Sequence, residues 1–331
     1  MMILAGVGIG AVQIAPNQVA AILGEQIGIT LPVQFEVRQS AVLMAVRLPR
    51  VLLGVLIGSA LAISGAAIQG LFRNPLAAPG LIGISSGAAL AAVSVIVLGA
   101  TLLEGLTDLM GRYTLPAAAF VGGALTTLIV YRLASVEGRT SVATMLLAGV
   151  AINALAGAGI GLLTFLATDE QLRSITFWSL GSLGGATWRS ISIVAPFIVI
   201  PILVIPYLAR SLNALLLGEA EARHLGIDTE RVKRMVVLWV ALAVGAAVSV
   251  TGIIGFIGLI VPHLLRLLTG PDHRAVLPGS AMLGASLLLG ADLVARTIVV
   301  PAELPIGVVT GFIGAPFFLW LLLRNRNQMM M

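Results

Sequence analysis

Residues Val51–Gly70 read VLLGVLIGSALAISGAAIQG. The stretch holds no Asp, Glu, Lys or Arg, and it has the roughly 20 apolar residues that a helix needs to cross a hydrocarbon core of about 30 Å. Comparable stretches follow at Leu81–Ala100, Leu115–Leu133, Val142–Leu166, Ile191–Leu208, Met235–Val250, Phe256–Leu268, Leu277–Val299 and Ile306–Leu323. Met235–Val250 and Phe256–Leu268 are short. Thr251-Gly252 and Gly255 separate them, and Pro262 interrupts the second. Short or broken helices at membrane depth are tolerated where other protein shields them or where they line a cavity. Met1–Val12 is apolar but too short to cross alone, so it reads as a first helix that is cut short or continues upstream. With no basic region ahead of it, it does not read as a cleaved signal peptide. Pro16 and an amphipathic stretch, Asn17–Leu23, come next. Counting the stub, the pattern predicts an all-α, polytopic membrane bundle of about ten transmembrane helices, with residues 1–331 as a single transmembrane domain.

Composition agrees. Of 331 residues, 59% are hydrophobic and only 10% charged, against about 25% charged in a soluble domain, and the mean hydropathy is +1.08. A soluble protein with a large core is therefore excluded. The 38 glycines and 15 prolines suit membrane helices, where neighbours re-satisfy freed backbone groups. The absence of cysteine excludes disulfides and thiolate metal sites. The net charge of +5 does not signal nucleic acid, because the basic residues sit at the ends of apolar segments rather than in one patch. With both termini inside, Arg73, Arg132, Arg139, Arg210, Arg223, Arg231, Lys233, Arg234, Arg274, Arg324 and Arg326 fall in the cytoplasm. Arg38, Arg47, Arg50, Arg112, Arg173, Arg189 and Arg296 fall outside. The excess lies inside, yet the outer set is larger than the positive-inside rule prefers and needs a reason of its own.

The longest polar stretch between late helices is 210–234. Within it, Glu219 to Leu225 reads as a short amphipathic helix with small residues at Ala220 and Ala222, stopped by Gly226. Small residues let another protein's backbone approach closely; an ordinary solvated loop is the alternative. Five further segments stand out: Arg47-Leu48-Pro49-Arg50; Gly65 and Gln69 ahead of Arg73-Asn74-Pro75-Leu76-Ala77-Ala78-Pro79-Gly80; Leu147-Ala148-Gly149-Val150-Ala151; Gly255-Phe256-Ile257-Gly258-Leu259-Ile260-Val261-Pro262-His263; and Glu303-Leu304-Pro305-Ile306-Gly307. Together, in this order and across about Ala11 to Leu323, they resemble the FecCD-type permeases for vitamin B12, ferric siderophores and haem.

The resemblance implies a type II ABC importer permease in a bacterial inner membrane. Two copies would form a homodimer around a central pathway. Two ATPase subunits, carrying ATP and Mg, would dock on the cytoplasmic loops, and a periplasmic binding protein would deliver substrate. Glu219, Ala220, Ala222, Arg223, Leu225 and Gly226 match the segment that couples to the ATPase. Arg47, Arg50 and Arg296 match arginines that receive acidic side chains of the binding protein; a guanidinium offers a carboxylate a rigid, always-charged fork. The alternatives are interfacial anchoring for Arg47 and Arg50, and for Arg296 a pair with Asp292 one turn earlier. Asp292 is nearly the only acid inside an apolar segment and reads as the residue that positions Arg296. Asn74, Pro75 and Leu76 match a cytoplasmic constriction, as do Ser141, Val142 and Ala143 at the start of the helix at Val142–Leu166. Where Asn74-Pro75 is concerned, a plain turn is the alternative. The helix at 142–166 lines the pathway in the family, which brings in Asn153. Its run Gly157, Gly159 and Gly161, like Gly54 and Gly58, reads equally well as close helix packing.

The chain cannot be its own motor. A phosphate-cradling loop needs Gly-x-x-x-x-Gly-Lys-Ser/Thr, and Lys233, the single lysine, follows Thr229-Glu230-Arg231-Val232. No cofactor is expected on the chain itself; haem is expected as the transported substrate. Residues 83–90, Asp169–Arg173 and Trp178–Gly184 resemble haem permeases, with ferric siderophore second and cobalamin third. Haem in transit need not be ligated, and none of His224, His263 and His273 is assigned to metal. His224 and His273 are placed in cytoplasmic loops. Two rival classes remain: an ion-coupled secondary transporter, which would use intramembrane acids and repeats, and a scaffold without transport, which would not need residues 219–226.

Overall fold

A computed structural model of the protein describes residues 1–10, 12–299 and 302–329, with side chains in the last helix described through Trp320 and at Leu323. The side chains of Arg324 and Arg326, and the methionines Met330 and Met331, lie outside the described residues. The helices are α1 (Met2–Gly8), α2 (Pro16–Gln26), α3 (Val37–Val42), α4 (Leu48–Phe72), α5 (Ile84–Leu98), α6 (Glu104–Met110), α7 (Thr114–Leu133), α8 (Val142–Leu166), α9 (Asp169–Leu180), α10 (Trp188–Val204), α11 (Ala209–Leu217), α12 (Glu219–His224), α13 (Thr229–Thr251), α14 (Ile257–Thr269), α15 (His273–Thr297) and α16 (Ile306–Met329). The sheet is one small hairpin, β1 (Ser135–Val136) and β2 (Arg139–Thr140), between α7 and α8. Its turn residues Glu137 and Gly138 both have positive φ, the geometry whose twist matches a two-residue hairpin.

Among the described residues, six helical stretches are long and apolar enough to cross a membrane: Val37–Phe72, Glu104–Leu133, Val142–Leu166, Trp188–Leu217, Thr229–Thr251 and His273–Thr297. Three shorter apolar helices, Ile84–Leu98, Ile257–Thr269 and Ile306–Trp320, stand beside them, and α1 is a stub of seven residues. α4 is the central element: 83% of its apolar window is buried by the rest of the chain, against 11% for α8. Close crossings make this possible. A Cβ on Gly58 would lie 2.4 Å from the Gly284 carbonyl oxygen of α15, and one on Gly65 would lie 1.8 Å from that of Gly258 in α14. Without side chains the backbones meet, and dispersion contacts replace the hydrophobic drive that lipid does not supply.

Helix ends follow local chemistry. Pro49 lies inside the continuous stretch Val37–Phe72, just after the π-helical segment Leu43–Arg47, a local widening of the kind found where the helical ladder is interrupted. Arg73 adopts the left-handed conformation and the Asn74 amide returns to the Gln69 carbonyl, which closes α4 before Pro75. One expectation is corrected. Met235–Val250 is not a short helix: Asp228 caps the amide of Arg231, so Thr229–Arg234, read as loop, forms the first turns of a full-length α13. α9 falls in none of the apolar stretches, and Thr168 and Gln171 form a capping box at its start. That pattern is a helix-start signal even without an apolar run.

Candidate functional site

The polar side chains gather at opposite ends of the bundle. At the first end, α12 lies against the start of α13. Lys233 is buried (1% exposed), and its ammonium donates to Glu219 Oε2 at 2.8 Å, Glu230 Oε1 at 3.0 Å and the Thr140 carbonyl at 2.6 Å. Glu230 Oε2 accepts the Thr140 amide at 2.8 Å. Arg223 adds contacts of 3.5 Å to Glu219 and 3.6 Å to Glu230, and its Nε donates to Thr229 Oγ1 at 3.1 Å. Two acids meet two bases, all with hydrogen bonds, which is the condition for a buried charge to be tolerated. Thr140 ends the hairpin that leads into α8. One lysine therefore ties the α12 segment to the entry of α8.

This geometry divides the residues of the 219–226 segment. Glu219 and Ala222 face inward: Ala222 is fully buried and Glu219 is held by Lys233. Ala220, Glu221, His224, Leu225 and Gly226 are exposed, as is the neighbouring Leu217. Arg223 is exposed along its length while its head joins the charge cluster. Lys233, Glu230 and Thr140 escaped the sequence reading as partners. The i, i+3 spacing of Glu230 and Lys233 was visible, but Thr140 lies 93 residues from Lys233.

At the other end, Arg50 bridges two carboxylates. Its Nε and Nη2 each lie 2.9 Å from Asp292 Oδ1, and its Nη1 lies 2.9 Å from both oxygens of Glu303. Asp292 therefore pairs chiefly across helices with Arg50; its contact to Arg296, read from sequence as the pair, is the long one at 3.7 Å. The reason is the buried meeting of α4 and α15, which a helical-turn argument does not contain. Arg296 also donates to the Gly6 carbonyl at 2.5 Å. Arg47 donates to the carbonyls of Val7 at 2.8 Å and Gly8 at 2.7 Å, and to that of Val12. Arg47 thus satisfies the open C-terminal carbonyls of α1. Arg47 and Arg50 are buried, and Arg296 is nearly so, so none of the three stands free for an incoming acid. The half-exposed group of the corner is Glu303.

Asn74 caps its own turn, its Oδ1 accepting the Leu76 amide at 2.9 Å, and Leu76 is exposed. Ser141 caps α8 by accepting the Thr144 amide at 3.2 Å. Val142 is half-buried, and Ala143 and Thr144 are exposed. Asn153 does not stand open: its Nδ2 donates to the Gly80 carbonyl at 3.1 Å and its Oδ1 accepts from Ser86 Oγ at 2.5 Å. It fastens α8 to the turn before α5. Gly159 packs on Leu90, whereas Gly157 and Gly161 have nothing within 4 Å of an added Cβ. Leu147, Val150, Leu155, Leu162 and Phe165 of α8 are likewise exposed. On α16, Phe312, Leu319 and Leu323 are exposed too.

His273 is not in a loop. It is the first residue of α15, fully buried, with Nδ1 2.8 Å from Asn213 Oδ1. The preceding Asp272 caps α15; the Arg274 amide and the Asn213 side chain hold its carboxyl below the usual range. His263 packs edge-on against Phe317, ring centroids 6.2 Å apart. Among the described residues no group of three or more His, Asp or Glu side chains could hold a metal ion.

The sequence profile of the FecCD transport family matches residues 1–324. The hemin transport system permease protein HmuU of Yersinia pestis is 50% identical over 284 residues, covering 86% of this chain and 83% of that one. The cobalamin import system permease protein BtuC of Halobacterium salinarum is 43% identical over 298 residues, 89% of this chain and 77% of that one. Among solved structures, an inward-facing conformation described as a metal-chelate type ABC transporter superposes with a TM-score of 0.83 at 31% identity, covering 98% of this chain and 95% of that one.

Proposed function

The chain belongs to the FecCD transport family and is a multi-pass membrane permease of the ABC-transporter kind, and on that premise we propose that two copies of it carry haem inward through a pathway between them. Membership of the family implies a separate ATPase and a substrate-binding protein. On this reading the α12 end is cytoplasmic, in a bacterial inner membrane, and the exposed face of Ala220, Glu221, His224 and Leu225 meets the ATPase. α8 and α16, with their exposed faces, line the shared pathway. Asn74 to Leu76 and Ser141 to Ala143 narrow its cytoplasmic end.

The observation that carries this reading is the Lys233 cluster, which joins α12 to the Thr140 hairpin and hence to α8. A displacement of α12 by the ATPase reaches the head of α8 through hydrogen bonds of 2.6–2.8 Å, with no flexible loop between. Haem is favoured by the 50% identity to a permease named for hemin. The corner receives the binding protein at Arg50, which Arg47 and Arg296 support from behind: an incoming carboxylate reaches Arg50 by displacing Glu303, the exposed acid.

The test is haem uptake into proteoliposomes that hold this chain and its ATPase, with the binding protein outside, followed by the haem absorbance band. ATP-dependent uptake is expected. ATP hydrolysis stimulated by the binding protein with cobalamin or a ferric siderophore taken up instead would move the substrate and keep the importer. No stimulation of the ATPase by this chain would overturn the importer reading.

A further inference from the structure

Arg112 and Arg189 are outer-set arginines that the Arg50 corner does not use. Arg112 lies in the turn Gly111–Tyr113 ahead of α7, and Arg189 in the first turn of α10. Both guanidinium carbons sit over the Tyr113 ring, 5.2 and 5.1 Å from its centroid, and Arg112 donates to the Tyr113 hydroxyl at 3.1 Å. Both arginines are exposed, and among the described residues neither has a carboxylate within ion-pair distance. An exposed cation–π contact contributes only about 0.5–1 kcal/mol each, so both guanidiniums remain available to an anion. An anion at this ring would supply the countercharge that neither arginine has.

Below this pair lies a cavity of about 480 Å³ between α7, α10 and α13. Arg112, Tyr113 and Thr187 line its mouth, at the helix ends. Phe120, Phe197 and Ala246, further along their helices, line its floor. Phe120 and Phe197 meet there with ring centroids 5.3 Å apart. Ile193 and Phe197, which line it from α10, are partly exposed, so the cavity opens at the surface of the bundle. Neither α8 nor α16 contributes to its lining, which separates it from the pathway faces. A free polar anion gains nothing from such a floor; a molecule with an anionic head and an apolar tail fits both parts.

We propose that this cavity binds one anionic phospholipid of the leaflet at the end opposite α12, its phosphate drawn to Arg112 and Arg189 at the Tyr113 ring and an acyl chain on the Phe120–Phe197 floor. The site also supplies a reason for two of the arginines that the positive-inside rule disfavours, since the charge is spent on lipid rather than on topology. The full complex with its ATPase, placed in nanodiscs of equal phosphatidylglycerol and phosphatidylcholine, is released and weighed by native mass spectrometry. A several-fold excess of phosphatidylglycerol adducts is expected. The Arg112→Gln, Arg189→Gln double variant should bring the two lipids to parity, and Ala117→Trp, which fills the cavity, should remove both adducts. The double variant alters exposed side chains and leaves the Thr187–Ser190 cap of α10 intact, so folding is retained. Parity in the unaltered protein, or an unchanged preference in the double variant, overturns the proposal. Displacement of the adduct by excess inorganic phosphate overturns it in favour of a simple anion site.

Discussion

Lys233 has three acceptors within 3.0 Å and almost no exposure. Replacing it with Met leaves Glu219 and Glu230 with only the longer contacts to Arg223, 3.5 and 3.6 Å. Breaking a buried pair costs about 3–5 kcal/mol, and because both acids keep some solvent the lower end applies. The expected result is a lowered melting temperature in Lys233→Met. Transport per ATP hydrolysed should also fall, because α12 loses its tie to Thr140, and Lys233→Arg should restore part of it. A variant that melts early but keeps its transport-to-hydrolysis ratio would show that the lysine only stabilises. The Arg47–Arg50 corner separates two roles in the same way. Arg47→Ala removes charged hydrogen bonds to α1, each contributing about 1.5–3 kcal/mol; it should lower thermal stability and leave binding-protein affinity nearly unchanged. Glu303→Gln weakens the competitor for Arg50 and should change that affinity with little effect on stability. Equal affinity in wild type and Glu303→Gln, measured by surface plasmon resonance, would remove Arg50 from docking.

At the scale of helices, backbone contact governs where α4 sits. A Cβ on Gly65 meets the Gly258 carbonyl at 1.8 Å, while Gly157 on α8 has open space around it. Overpacking typically costs about 1–3 kcal/mol, and here the obstacle is backbone, which cannot swing aside. Gly65→Leu should therefore give no monodisperse protein on size exclusion, whereas Gly157→Ala should elute and melt like the wild type. The helical elements were largely readable from apolar length, and Val142–Leu166 coincides with α8. α9 and the first turns of α13 were missed for a common reason. Their polar residues are satisfied by caps and by Glu230–Lys233 pairing, and a hydropathy scan counts such residues as loop.

For the molecule as a whole, the unequal burial of its helices bears on assembly. α4 is enclosed and α8 is almost bare, and a face of Val150, Ala154, Gly157 and Gly161 is smooth enough for another helix to approach. The chain has no cysteine, so a single introduced thiol reports one contact. Ala154→Cys and Gly161→Cys are expected to give disulfide-linked dimers in membranes on mild oxidation, and Leu128→Cys, exposed on α7, is not. Dimers from Leu128→Cys alone would place the twofold contact elsewhere and remove α8 from the pathway.

Membrane class and family were already decided by the sequence, because apolar length and motif order are local properties that survive without contacts. The site was legible only as a set of names. Glu219 and the arginines were singled out by residue type, but their orientation was not, since a charged side chain looks alike whether it faces a partner protein or a buried lysine. Only the tertiary structure turned Glu219 inward to Lys233, gave Arg50 the acid assigned to Arg296, and brought Thr140 to Lys233 across 93 residues of chain. Those pairings exist because helices distant in sequence cross at glycines, and burial then forces each charge to find its partner across the crossing.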